Sequence, residues 1–188
     1  PILFPSNPHE CFQMAVKAFD LAERLQTPVF MLSDLDIGMN DWMIPELTWD
    51  DNYRPDRGKV LGPEDLEKME RFVRYLDVDG DGIAPRTLPG EDPKGAYFTR
   101  GSGHNRYGGY TENSDEYQEV IDRLLVKWET AKSLVPDAVL SKADRKTSLG
   151  ILAYGSSDGA VIEARDRLAE QGIHADYLRI RAFPFSAE

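Results

Sequence analysis

Apolar positions recur at helical spacing in several stretches of this chain and run continuously in shorter ones. Over 8–25, Cys11, Met14, Ala15, Ala18, Ala22 and Leu25 fall on one side, while Glu10, Gln13, Lys17, Asp20 and Arg24 form a polar stripe. Asn7 is placed to cap this helix, with Pro8 at its first position and Glu10 set to reach back. Thr27-Pro28 ends it. A second helix is predicted from Pro63, with Leu66, Met69, Val73 and Leu76 in register. The longest, over 115–134, is opened by Asn113 and Glu116 as a capping box, and Tyr117, Val120, Ile121, Leu124, Leu125, Trp128 and Ala131 make its buried stripe.

The continuous runs predict strands. Residues 29–32 and 149–154 are apolar and bounded by turn residues, as in strands covered on both faces, and 177–180 completes a βαβ unit whose helix runs through Glu170 and is closed by Gly172. A brief strand is expected over 96–99. Helix and buried strand in alternation give an α/β fold. Two strands are too few for a stable sheet, so the helix–strand pair at each end of the chain lacks partners. Between them, 37–62 carries Trp42, Trp49 and Tyr53 without any sustained period and is expected to wrap a surface, its aromatics acting as anchors. Residues 136–146 form a second, polar linker.

Composition narrows the functional classes. With 188 residues and 41% hydrophobic content, the chain can build a real core as one large or two small domains. A formal charge of -11 with pI near 4.8 argues against a nucleic-acid surface, which needs clustered Lys and Arg. The single Cys11 reads as a small buried hydrophobe in a reducing, cytoplasmic setting. No apolar run is long enough to span a bilayer, so no membrane is expected as a partner. The chain begins at Pro1 without a Met, as a fragment would.

Candidate chemistry concentrates in 76–110, too broken by Gly and Pro to be helical. Asp77, Asp79 and Asp81 followed by Gly82 match the first half of an EF-hand calcium loop, although the twelfth position is Leu88 where a bidentate Glu belongs. The competing reading is an Asp/Gly turn. Further on, Arg100, His104, Asn105 and Arg106 lie among glycines whose backbone N–H groups could face a carboxylate or phosphate; the same residues could instead pair with the chain's own acids or a neighbouring subunit. Ser156, Ser157 and Gly159 sit in a small-residue turn opening a helix, where an anion could bind, without the GxGxxG fingerprint of a dinucleotide site. Asp34 and Asp36 follow strand 29–32, at the end where parallel sheets place ligands, or else simply cap turns.

Taken together, PSNPHECFQMAVKAFDLAERLQTPVFMLSDLDIGMNDWMIP, YRPDRGKVL, YLDVDGDGIAPRTLPG, AYFTRGSGHNRYGGYTE and LAYGSSDGAVIEARDRLAEQGIHADYLRIRAFPF resemble, in collinear order, the α subunit of 2-oxoacid:ferredoxin oxidoreductases, with the 2-oxoglutarate enzymes most similar. The resemblance implies thiamine diphosphate chemistry. The oxoacid is decarboxylated on the cofactor, coenzyme A accepts the acyl group, and electrons leave through an iron–sulfur cluster to ferredoxin. It also implies a β subunit that binds the diphosphate and Mg2+.

On this resemblance, 1–40 is the end of a pyrimidine-binding domain, 147–188 the start of a transketolase C-terminal-like domain, and 41–146 a linking region of long loops and helices including the long helix. The family's YPITP and RGGPSTG segments do not occur, so no catalytic residue carries over, and no cofactor is expected to be bound wholly within this chain. One Cys cannot ligate a cysteine-held cluster by itself. Where the family pattern GIPYRT is expected the chain reads Gly82-Ile83-Ala84-Pro85-Arg86-Thr87; the Tyr is lost, while Arg86 and Thr87 remain to face a subunit interface or the active-site entrance. Two other readings stand beside this one: a non-catalytic interaction or calcium-binding module built on Asp77, Asp79 and Asp81, and a small anion-binding protein built on 155–159.

Overall fold

A computed structural model describes residues 1–99 and 101–185. Arg100, one of the loop candidates, lies outside the described residues. The chain divides into two compact units: the first takes Pro1–Ala22, Thr27–Pro55 and Leu134–Glu188, the second Glu23–Gln26 and Asp56–Ser133. Both ends of the chain fall in the first unit.

The first unit holds two small sheets. Strand β1 (Ile2–Leu3) pairs in parallel with β2 (Phe30–Met31) and antiparallel with β6 (Ala182–Phe183), bringing the first and last strands of the described chain side by side. In the other sheet β5 (Asp176–Arg179) is central, antiparallel to β3 (Val139–Ser141) and parallel to β4 (Gly150–Ala153). Helix α5 (Ser157–Glu170) is the crossover between β4 and β5. Three strands are ones that periodicity did not show: β1 and β6 are too short to display alternation, and β3 lies inside the stretch read as a polar linker.

Strands β2 and β4 were expected to be buried on both faces. Instead Phe30, Leu32, Leu149, Leu152 and Tyr154 are exposed. Both strands are edges of three-stranded sheets, and a continuous apolar run reports an affinity for cover without saying what supplies it.

Helix α1 (Pro8–Leu25) starts as the sequence predicts, with Asn7 Oδ1 accepting the Glu10 N–H at 2.8 Å. Leu21 and Leu25 are fully buried, whereas Cys11 is only half-buried. Glu10 departs from the expected polar stripe: it is buried, its carboxylate accepts the backbone N–H of Ser6 at 2.9 Å, and Arg179 and Arg181 both pair with it. Short α2 (Leu35–Met39) is capped by Asp34, whose carboxylate accepts from Ile37 N–H.

In the second unit, the helix expected over 63–76 stops early, as α3 (Pro63–Glu67). From there tertiary contacts override the periodicity: the Tyr75 N–H bonds to Arg106 O at 3.1 Å, and Arg74 donates to Gln26. No strand forms over 96–99. Long helix α4 (Ser114–Lys132) is capped by Asn113, which accepts from both Asp115 and Glu116 N–H groups. Its capping box is incomplete, because the Asn113 N–H goes to Thr111 Oγ1 and Glu116 accepts from Asn105. Tyr117, Leu125 and Trp128 are exposed; the buried stripe is Val120, Lys127 and Ala131. Among the described residues no helix is long and apolar enough to cross a membrane.

Candidate functional site

The acidic turn comes first in the second unit. Asp77, Asp79 and Asp81 can each bring a carboxylate oxygen within 4.8 Å of the others, as a cation site requires. A cation of the chain itself stands there: Lys59 Nζ is 2.6 Å from both Asp79 Oδ1 and Asp81 Oδ1, and donates to Ile83 O at 2.9 Å. Burial opposes the charge on Lys59, but its bonds to Asp79 and Asp81 outweigh that and raise its pKa above the usual lysine value. Asp77 faces backbone instead, accepting N–H groups of Asp79, Gly80 and Gly82. The triad therefore behaves as an Asx turn closed by a lysine, and does not fit a resident calcium ion while Lys59 is in place.

Gly82 fixes where this turn sits. Its φ is +77°, and a Cβ there would lie 2.2 Å from Lys127 N and 2.6 Å from Arg123 O on α4. Only glycine allows both that conformation and that approach. The backbone then runs to Arg86, held by a two-way ladder: Arg86 N–H to Lys59 O at 2.9 Å and Leu61 N–H to Arg86 O at 2.8 Å. The Arg86 guanidinium pairs with Glu23 and donates to Arg57 O, yet its Nε is buried without an acceptor. Thr87 is buried, with Oγ1 donating to Gly95 O at 2.7 Å.

The glycine-rich loop is ordered by its own side chains. Asn105 Oδ1 accepts from Tyr107 and Gly109 N–H groups, His104 bridges to Tyr110 through backbone, and Arg106 pairs with Glu119. The His104 ring stacks on Tyr75 with centroids 4.2 Å apart. The loop candidates do not all converge: His104 lines a cleft that Arg86, Asn105 and Arg106 do not line.

That cleft, about 210 Å³, is bordered by Arg74, Arg123 and Lys127 together with Gln26, Tyr75 and His104. None of its three cations was singled out from the sequence. A signal existed on α4: Val120, Leu124, Lys127 and Ala131 follow one helical stripe, with a charged residue at a position that should be apolar. Burial, then the nearby Arg123 and Arg74, push the Lys127 pKa down to about 8. Burial and Arg74 likewise depress Arg123, partly offset by Asp77.

In the first unit, the turn at 155–159 opens α5 as predicted, and a carboxylate of the chain occupies it. Asp34 Oδ2 accepts the Ser156 N–H at 3.0 Å while Oδ1 accepts that of Ile37. These backbone bonds, Ile37 first, outweigh burial and hold the Asp34 pKa below the usual range. Ser157 Oγ donates to Tyr154 O, and Gly159 has open space around it.

No protein-family model matches the sequence. Individual relatives do. The chain is 29% identical over 191 residues, 98% of its length, to the 2-oxoacid:ferredoxin oxidoreductase subunit alpha of Saccharolobus solfataricus. It is 30% identical over 190 residues to 2-oxoacid:ferredoxin oxidoreductase 2, subunit alpha, of Aeropyrum pernix, and 28% identical over 191 residues to the 2-oxoglutarate synthase subunit KorA of Methanothermobacter thermautotrophicus. It spans 29%, 28% and 46% of these proteins, respectively. Its fold matches a chain of the 2-oxoglutarate:ferredoxin oxidoreductase from Magnetococcus marinus, solved with 2-oxoglutarate, coenzyme A and succinyl-CoA bound, at a TM-score of 0.84 and 22% identity, covering 98% of this chain and 31% of that one.

Proposed function

This chain is similar, over 98% of its length, to α subunits of 2-oxoacid:ferredoxin oxidoreductases, and from that premise we propose that it forms part of the α subunit of such an enzyme, with 2-oxoglutarate as the oxoacid. The observation that carries the reading is collinearity. One uninterrupted likeness runs through both compact units, where a borrowed motif would cover only one. The choice of 2-oxoglutarate rests on the relatives named 2-oxoglutarate synthase and on the fold neighbour, which binds 2-oxoglutarate.

In this reading the product is an acyl-CoA, the electrons pass to ferredoxin, and thiamine diphosphate with Mg2+ and the iron–sulfur cluster are held by the β subunit and by parts of the assembly beyond these 188 residues. Residues 1–40 descend from a pyrimidine-binding domain and 147–188 from a transketolase C-terminal-like one. The only cluster of metal-binding type among the described residues is the aspartate triad, and Lys59 stands in it. In the same reading the cofactors supply the bond-breaking chemistry, and the residues of this chain serve binding and assembly. Arg86 is our choice for contact with an oxoacid carboxylate or the β subunit: it is a partly exposed guanidinium held rigidly by backbone on both sides, with Glu23 as a resting counter-ion.

Assembly provides the test. The complete tagged α polypeptide, expressed with its β subunit, should retain that subunit through purification, and the complex should carry thiamine diphosphate detectable by mass spectrometry. An α polypeptide that purifies alone, without cofactor, would contradict the proposal.

A further inference from the structure

We propose that the cleft between Arg74, Arg123 and Lys127 is a binding site for a phosphate group, either free or on a larger ligand. Three cationic side chains line a space of about 210 Å³, and none of them forms a salt bridge with a carboxylate of the described residues. Their partners are neutral oxygens. Arg74 donates to Gln26 Oε1 at 2.7 Å, Arg123 to Gly82 O at 2.7 Å and Lys127 to Leu25 O at 3.1 Å. Several other half-buried cations among the described residues have carboxylates: Arg86 has Glu23, Lys59 has Asp79 and Asp81, and Arg179 has Glu10. Arg165 is a single half-buried cation bonded to the backbone oxygens of Ala175, Ser141 and Lys142, whereas the cleft gathers three cations on one space.

Two further observations suit the cleft to an oxyanion. The Nε–H groups of Arg74 and Arg123 are buried without any acceptor. Buried guanidinium N–H groups normally find one, because water is not there to replace it. In Arg123 the bond to Gly82 uses Nη1, leaving the side of the planar fork that carries Nε for a bidentate oxyanion. The rest of the wall suits such a group. Tyr75 and His104 stack as a rigid platform, and Arg74 lies 4.9 Å from the Tyr75 ring centroid, which limits its swing.

The choice of phosphate over a monocarboxylate follows from charge. Buried Lys127 and the two half-buried arginines repel each other, and Asp77 offsets only part of the charge on Arg123. A dianion relieves that repulsion more fully than a single negative charge. The cleft also has the size for one tetrahedral group.

Calorimetric titration of inorganic phosphate into the complete protein tests the site, with phosphorus NMR line width as a second readout. Saturable binding is expected, weaker on the order of tenfold or more in Arg123→Gln, with Arg123→Lys intermediate because it keeps charge and loses the fork. Arg123→Gln can disturb the Gly82 turn, so Lys127→Met is the second variant; it removes a repelling charge, should fold at least as well as the parent, and should still lose phosphate affinity. Adenosine monophosphate distinguishes the source: binding of both probes indicates a group delivered on a larger ligand, and binding of inorganic phosphate alone indicates a closed site for the free ion. The proposal is overturned if phosphate acts no differently from chloride at matched ionic strength, if malonate binds where phosphate does not, or if Lys127→Met leaves phosphate affinity unchanged.

Discussion

Arg179 Nη1 donates to Glu10 Oε2 at 2.7 Å, joining the last strand of one sheet to the first helix across 169 positions of sequence. Arg181 adds a bond to Oε1 at 2.9 Å, and the Glu10 side chain is only 9% exposed. Burial raises the pKa of such a carboxyl, yet the hydrogen bonds from Arg179 and Ser6 outweigh it and bring Glu10 to about 2, against 4.5 for the free group. A folded pKa below the unfolded one means stability that is fully present above the unfolded value and lost as pH falls through the folded one. The first unit should therefore lose on the order of 3 kcal/mol between about pH 4.5 and pH 2 from this group. Glu10→Gln should cost about 3 kcal/mol at neutral pH and show no such loss in that window, as read by denaturant unfolding.

Lys127 makes the opposite prediction in the second unit. Its pKa falls from 10.5 to about 8 on folding, so between those values the unfolded chain binds more protons and stability rises with pH. The gain, on the order of 3 kcal/mol, should be absent in Lys127→Met, which is expected to be more stable than the parent below about pH 8. Unfolding monitored by tryptophan fluorescence across this range checks the slope.

Gly82→Ala should be among the most damaging small substitutions in the chain. The new methyl would meet backbone atoms of α4 at 2.2 Å and 2.6 Å, and neither can move without breaking the helix. A loss of about 3 kcal/mol or more is expected. Gly80→Ala, at φ +83° with open space around it, should cost only the conformational part, about 1 kcal/mol.

Calcium should find no tight site at Asp77, Asp79 and Asp81 in the parent protein, because Lys59 bonds Asp79 and Asp81 at 2.6 Å. Lys59→Met should expose the repulsion of these carboxylates, lower thermal stability and make terbium luminescence at the turn detectable. Equal terbium signals from parent and variant would show that the lysine does not guard the turn.

Sequence pattern predicted the helices with strong caps and gave no view of what lay across the fold. Asn7 and Asn113 fixed the starts of α1 and α4 because capping is local, and the sheet order followed only where strands had length. The helix at Pro63 was overextended, since nothing in Leu66, Met69, Val73 and Leu76 reveals that Tyr75 pairs with Arg106 backbone. Glu10 falls on the polar stripe of α1 and reads as a surface residue, while Lys127 falls on the apolar stripe of α4 with nothing in the pattern to show what receives its charge. Their burial depends on partners 169 and 102 positions away, and single-chain periodicity carries no such information. The acidic triad was visible as a cation site, but its occupant, Lys59, stands 20 positions from Asp79 in a stretch read as linker.

The proposed membership in an oxoacid oxidoreductase is decided by reduction of a viologen dye by the complete α and β subunits, supplied with thiamine diphosphate, magnesium and coenzyme A. Dye reduction should require both coenzyme A and an oxoacid and be faster with 2-oxoglutarate than with pyruvate. Turnover of pyruvate at an equal or higher rate would contradict the substrate assignment, and no oxoacid-dependent reduction from an assembled, cofactor-loaded complex would contradict the function itself.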